Sequence, residues 1–186
     1  MAARTQLVVL CVCVLSLFLT RTSVTGTYDF ALQKLAGPRL LGLIKSGVAA
    51  VGVLGAVPIG RAADWLGPGR RWTLFLLFVA LEAVSVMAMT QSEGFLPGMV
   101  AGQVLVTLAY SSEDMAKAFV ADHTPAHSPE RTSWMGRYFS CVGLGYFFGP
   151  RLARRLKGDH GFTLRGLGGI AAATAAATSL GGMARK

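Results

Sequence analysis

The sequence predicts an all-α polytopic membrane helix bundle, a single domain over 1–186 with about six transmembrane helices. Three observations carry this. The chain is 53% hydrophobic and only 15% charged, where a soluble domain carries about 25% charged residues. Its apolar runs approach the ~20 residues that a bilayer-crossing helix needs. Short polar connections separate those runs, and a chain in lipid satisfies its own backbone groups by forming helices.

The net charge of +9 belongs with lipid phosphate at helix ends. The basic residues are spread among loops, and no motif that reads RNA or DNA stands beside them, so the expected environment is a lipid bilayer and not nucleic acid. Cys11 and Cys13 lie inside an apolar run and, with Cys141, form no disulfide framework. His123 and His127 have the i, i+4 spacing of a metal pair, but Pro125 between them disfavours the helix that the spacing requires. No metal and no cofactor is expected.

The first predicted span is 5–21. Its core from Leu7 to Leu15 is short and follows Arg4, so a signal peptide cleaved near Gly26 is the alternative. The helix is preferred because further spans follow. Residues 21–39, with Arg21, Asp29, Lys34 and Arg39, read as a loop. The second span, 40–60, holds Gly42, Gly47, Gly52, Gly55 and Gly60. In water each would cost a helix ~1 kcal/mol; in lipid, small residues form a packing face. The charged turn 60–71 then sets two helices antiparallel.

The third span, 72–92, carries one charge, Glu82, near its centre. The fourth, 94–112, carries none and has Gly98 and Gly102 as a close-contact pair. A polar stretch follows over 113–134. The fifth span, 135–150, ends at Gly149-Pro150, with Arg151, Arg154, Arg155 and Lys157 just beyond. The sixth, 166–184, is mostly Ala, Gly and Thr. With the N-terminus inside, nine basic residues face one side and eight the other. The positive-inside rule therefore chooses no orientation.

Glu82 is a candidate for function because a mid-membrane carboxylate costs ~2.5–3.5 kcal/mol on insertion scales and commonly marks an ion or proton path. The plainer alternative is a polar bundle interior or a hydrogen bond with Ser85. Elsewhere, no nucleophile–base pair, metal cluster or phosphate loop points to an enzyme.

Two stretches resemble a known family. Gly60, Asp64 and Gly67, followed after Pro68 and Gly69 by Arg70 and Arg71, resemble the loop between the second and third helices of the major facilitator superfamily. Trp65 stands where a basic residue is usual. Asp122, Pro125, Glu130, Arg131 and Gly136 resemble that family's fourth-to-fifth-helix region. The run Gly143-Leu144-Gly145-Tyr146-Phe147-Phe148-Gly149-Pro150 is similar to the fifth-helix signature of its antiporters, including the tetracycline-efflux-like branch.

The resemblance implies twelve helices in two pseudo-symmetric halves, with solute between them. This chain would be the N-terminal half of a transporter that moves a small solute by alternating access, coupled to protons in the antiporter branch. Either the chain is a fragment or truncated product of such a transporter, or its partner would be a second half-transporter chain. Gly60, Asp64, Gly67, Arg70 and Arg71 would form a conformational switch, with Asp122 and Arg131 as a loop motif. Gly143, Gly145, Gly149 and Pro150 would bend and pack a helix. Gln103 stands where antiporters carry an arginine, which places it with Glu82 on the candidate proton or substrate path but denies it an ion pair. The competing expectation is a non-transporting membrane protein that acts through helix–helix association.

Overall fold

The computed structural model describes residues 2–67, 70–92 and 94–160. All elements among them are helical: α1 (Ala2–Leu66), α2 (Arg71–Gln91), α3 (Leu96–Ala109), α4 (Ser111–His123) and α5 (Pro129–His160). The expected sixth span, 166–184, lies outside the described residues.

α1 is two rods. Gly37 sits inside it with φ 74° and ψ 168°, a conformation that a side chain would strain, and Pro38 follows without an N–H to continue the ladder. Asp29 and Lys45, equally far from Gly37 along the chain, form an ion pair. The first arm (2–36) and the second arm (38–66) therefore fold back on each other. Among the described residues two helices are long and apolar enough to cross a membrane, Arg4–Leu66 and Arg71–Met89. The first, with 63 residues, would run ~95 Å if straight, about three times a ~30 Å hydrocarbon core. The break at Gly37 divides that length into two rods.

The remaining connections are short. Gly67, at φ 73°, makes the turn into α2, its N–H donating to the Asp64 carbonyl at 3.3 Å. α3 and α4 meet at Tyr110, whose dihedrals stay helical (φ −60°, ψ −16°), so the two make one passage. At one end of the bundle Arg4 approaches Glu130 (3.8 Å) and Arg71 meets Asp122 (2.7 Å). The passages thus alternate in direction.

Several expectations are corrected here. Residues 21–36 are helix, not loop, because Arg21 and Tyr28 find buried partners inside the bundle. Tyr28 Oη donates to the Met99 carbonyl at 2.6 Å. The polar stretch 113–134 is largely α4 and the start of α5. α4 buries Ser112, Met115, Ala116, Phe119 and Val120 along one stripe and pairs Lys117 with Glu113 (2.8 Å) and Asp114 (3.4 Å). The fifth span does not stop at Pro150; α5 continues through it to His160. Among the glycines of the second arm, Gly52 and Gly55 lie against Thr107 and Leu108, whereas Gly42, Gly47 and Gly60 meet none of the described residues within 4 Å.

Two apolar cores are stacked along the bundle. One joins Leu7, Leu10, Val14, Leu17 and Phe18 of α1 to Phe75 and Val79 of α2, Phe119 of α4 and Tyr138 of α5. The other joins Val24, Tyr28 and Leu32 to Ala83, Val86, Met89, Met99 and Val106. Between Phe18 and Val24 stands Arg21; between Val79 and Ala83 stands Glu82. The boundary between the cores is a charged layer.

Candidate functional site

Arg21 lies near the middle of the first arm and Glu82 near the middle of α2. Both side chains are almost wholly buried, at 7% and 6% exposure. The guanidinium meets the carboxylate as a fork: Nε donates to Oε1 at 3.1 Å and Nη2 to Oε2 at 2.9 Å. This is the strong, bidentate form of the arginine–carboxylate pair. Nη2 also reaches Ser112 Oγ at 3.4 Å. The Tyr110 ring lies 3.9 Å from the guanidinium carbon and the Phe18 ring 4.8 Å, a cation–π enclosure.

A second acid stands close by. Glu113 Oε2 is 3.8 Å from Arg21 Nη1, while Glu113 Oε1 is held by Lys117. Its side chain is 30% exposed. The charges therefore run Glu82, Arg21, Glu113, Lys117, from the buried layer towards an open cleft. That cleft, of about 770 Å³ including its mouth, is lined by Arg21, Thr22, Thr25, Tyr110, Glu113 and Tyr146 among others. A second, narrow cavity beside the pair is lined by Glu82, Tyr28, Gln103, Met89 and Val106 among others.

Glu82 and Gln103 thus line one narrow cavity. The Ser85 alternative is corrected: Ser85 Oγ donates to the Leu81 carbonyl in its own helix at 2.6 Å. The cation that meets Glu82 comes from Arg21 on the first arm and not from the position of Gln103. Arg21, Tyr110, Ser112 and Glu113 were not among the residues the sequence singled out. The signal was available in the stripe Leu7, Leu10, Val14, Leu17, Arg21, Val24, Tyr28. Its steps of three and four run straight through Arg21, placing that residue on the core face of a helix.

The loop residues form a separate cluster at the end of the bundle. Arg71 donates to Asp122 at 2.7 Å and approaches Asp64 at 3.5 Å. Asp64 itself is 80% exposed, and Arg70 is exposed. Arg131 turns back on the end of α4: Nη2 donates to the Thr124 carbonyl at 2.9 Å and Nε to Thr124 Oγ1 at 3.2 Å. A cation there satisfies last-turn carbonyls and opposes the helix dipole. Arg71 and Asp122 tie the start of α2 to the end of α4, and both are only partly screened. Arg71→Gln is expected to cost about 1 kcal/mol, with Asp122→Asn adding little on top. A double-mutant cycle on melting temperature checks this.

The helix-packing motif divides. Gly145 lies against the backbone of Phe18 and Leu19, and Gly149 against Thr22 and the Leu19 carbonyl. Thr22 Oγ1 donates to the Gly145 carbonyl at 3.0 Å and Ser23 Oγ to the Gly149 carbonyl at 2.9 Å. Among the described residues none comes within 4 Å of a Cβ at Gly143, so none of them takes up its expected packing role. Among the described residues no group of three metal-ligating side chains forms.

Compared with known families, residues 10–184 match the family model described as Major Facilitator Superfamily. No curated protein and no solved structure matches the chain.

Proposed function

The chain belongs to the major facilitator superfamily and is therefore an integral membrane protein of a transporter family, and from this we propose that it forms the N-terminal half of an alternating-access carrier for a small solute. The described residues supply five helical passages; in this reading 166–184 supply the sixth, and a second six-helix half closes the cleft. The observation that carries the reading is the Arg21–Glu82 pair, buried between two apolar cores yet linked through Glu113 to an open cleft that presents hydroxyls and a carboxylate. Intramembrane charges are costly and face a pathway or a cavity. The solute meets the hydroxyls of Thr22 and Thr25, the rings of Tyr110 and Tyr146, and the Glu113 carboxylate.

Proton coupling enters through Glu82. A proton there neutralises the acid that holds Arg21, so the guanidinium must find another partner, and Glu113 is the nearest. The antiporter-like branch is supported by the run from Gly143 to Pro150, two of whose glycines carry the α1–α5 crossing.

Thr25 tests the reading, since it lines both cavities. Thr25→Cys is placed in the full gene product after Cys11, Cys13 and Cys141 are changed to alanine. A membrane-impermeant thiol reagent is expected to label it from either face of the membrane, as the cleft opens alternately. Labelling from one face alone, at every pH, removes alternating access. Labelling from neither favours a protein that acts by helix association.

A further inference from the structure

Beyond the solute path, α5 carries a basic face that the transport reading leaves unused. Arg151, Arg154 and Arg155 follow one another at i, i+3 and i+4 and so share one side of the helix. All three are exposed. Among the residues whose side chains are described, 4–26, 28–67, 70–89, 91–92 and 94–155, no carboxylate pairs with any of them. Arg151 lies over the Phe147 ring at 3.9 Å. Two of them, Arg151 and Arg155, border a groove of about 790 Å³, including its mouth, whose other walls are Leu19, Phe148 and Leu152.

The groove combines apolar walls with two cations, and the helix register fixes its depth. Leu19 is central in the first arm and lies beside Gly145. Counting from Gly145 at 1.5 Å per residue, Arg151 stands ~9 Å and Arg155 ~15 Å further along α5. A hydrocarbon core ~30 Å thick ends ~15 Å from its midplane. Arg155 therefore reaches the headgroup layer, and Arg151 reaches it by extending its side chain.

We infer that the groove between the first arm and α5 binds one anionic phospholipid, its phosphate on Arg151 and Arg155 and its acyl chain along Leu19, Phe148 and Leu152. Paired arginines match phosphate geometry, and basic pockets between membrane helices bind anionic headgroups. The occupant is a lipid and not a free phosphate ion because half the groove is hydrocarbon. This inference needs only that the helices cross a bilayer; it stands or falls apart from alternating access.

Native mass spectrometry of the detergent-purified full chain, mixed with phosphatidylglycerol or phosphatidylcholine, tests it. One phosphatidylglycerol is expected to remain bound at least tenfold more tightly than phosphatidylcholine. Arg151→Gln with Arg155→Gln is expected to remove that preference, while Arg61→Gln, on an exposed residue at the opposite end of the bundle, leaves it intact. Phe148→Ala is expected to weaken both lipids. Inorganic phosphate in excess should not displace the lipid; displacement would reassign the site to a free anion. Equal binding of the two lipids, or a preference that survives the double substitution with the melting temperature unchanged, overturns the assignment.

Discussion

Glu82→Gln is expected to lower stability by about 3–5 kcal/mol, the cost of leaving a buried partner charge uncompensated. Arg21 would keep only Ser112, a rather distant Glu113 and two aromatic rings. Arg21→Gln is expected to cost a similar amount. The double variant, Arg21→Gln with Glu82→Gln, should be less impaired than the two singles summed, because no charge is then stranded. Thermal unfolding in detergent measures all three. In a transport-competent form, Glu82→Gln should also abolish pH-driven flux. Additive losses would mean that the two residues act separately, and unchanged flux would discard the proton role.

Gly149→Ala comes second. An added Cβ falls on Thr22 and stands 3.1 Å from the Leu19 carbonyl oxygen. At Gly145 the same atom meets Phe18 and stands 3.2 Å from the Leu19 amide nitrogen. Backbone atoms cannot swing aside as a side-chain tip can, so the helices must part. That separation also loosens the hydroxyl bonds from Thr22 and Ser23. The expected loss is about 1–3 kcal/mol for each substitution, larger with valine. Gly143→Ala is the control: with no described residue within 4 Å of the added atom, alanine's better helix propensity makes it neutral or stabilising by up to ~1 kcal/mol. Equal effects at 143 and 149 would show that propensity, not the crossing, governs this helix.

The bundle was legible because uncharged runs in a chain so poor in charge leave few other forms. The turn at Gly67 was legible too, since a glycine after an acid and before paired arginines marks a tight hairpin. Helix ends were less so. Polar composition reads as loop over 21–39 and as a polar stretch between spans over 113–134, yet a membrane bundle can bury polar side chains when they pair across it. Arg21 finds Glu82, Tyr28 finds the Met99 carbonyl, and Lys117 finds Glu113 one turn back. Composition cannot reveal a partner sixty residues away; the unbroken stripe from Leu7 to Tyr28 can. Glu82 stood out as a lone mid-helix charge, so half of the central pair was visible and its arginine was not. Pro150 was misplaced for another reason: α5 runs through it, and the break in the chain falls at Gly37-Pro38, where a positive φ and a missing N–H coincide.

The most direct test of the membrane bundle is protease protection of epitope tags inserted after Leu66, Ser92 and Ala126, one tag per variant, in sealed vesicles. The alternating passages predict that the tags at 66 and 126 share one accessibility and the tag at 92 has the other. A tag at 92 that behaves as the other two do, or a chain released from membranes by alkaline carbonate, would contradict the account.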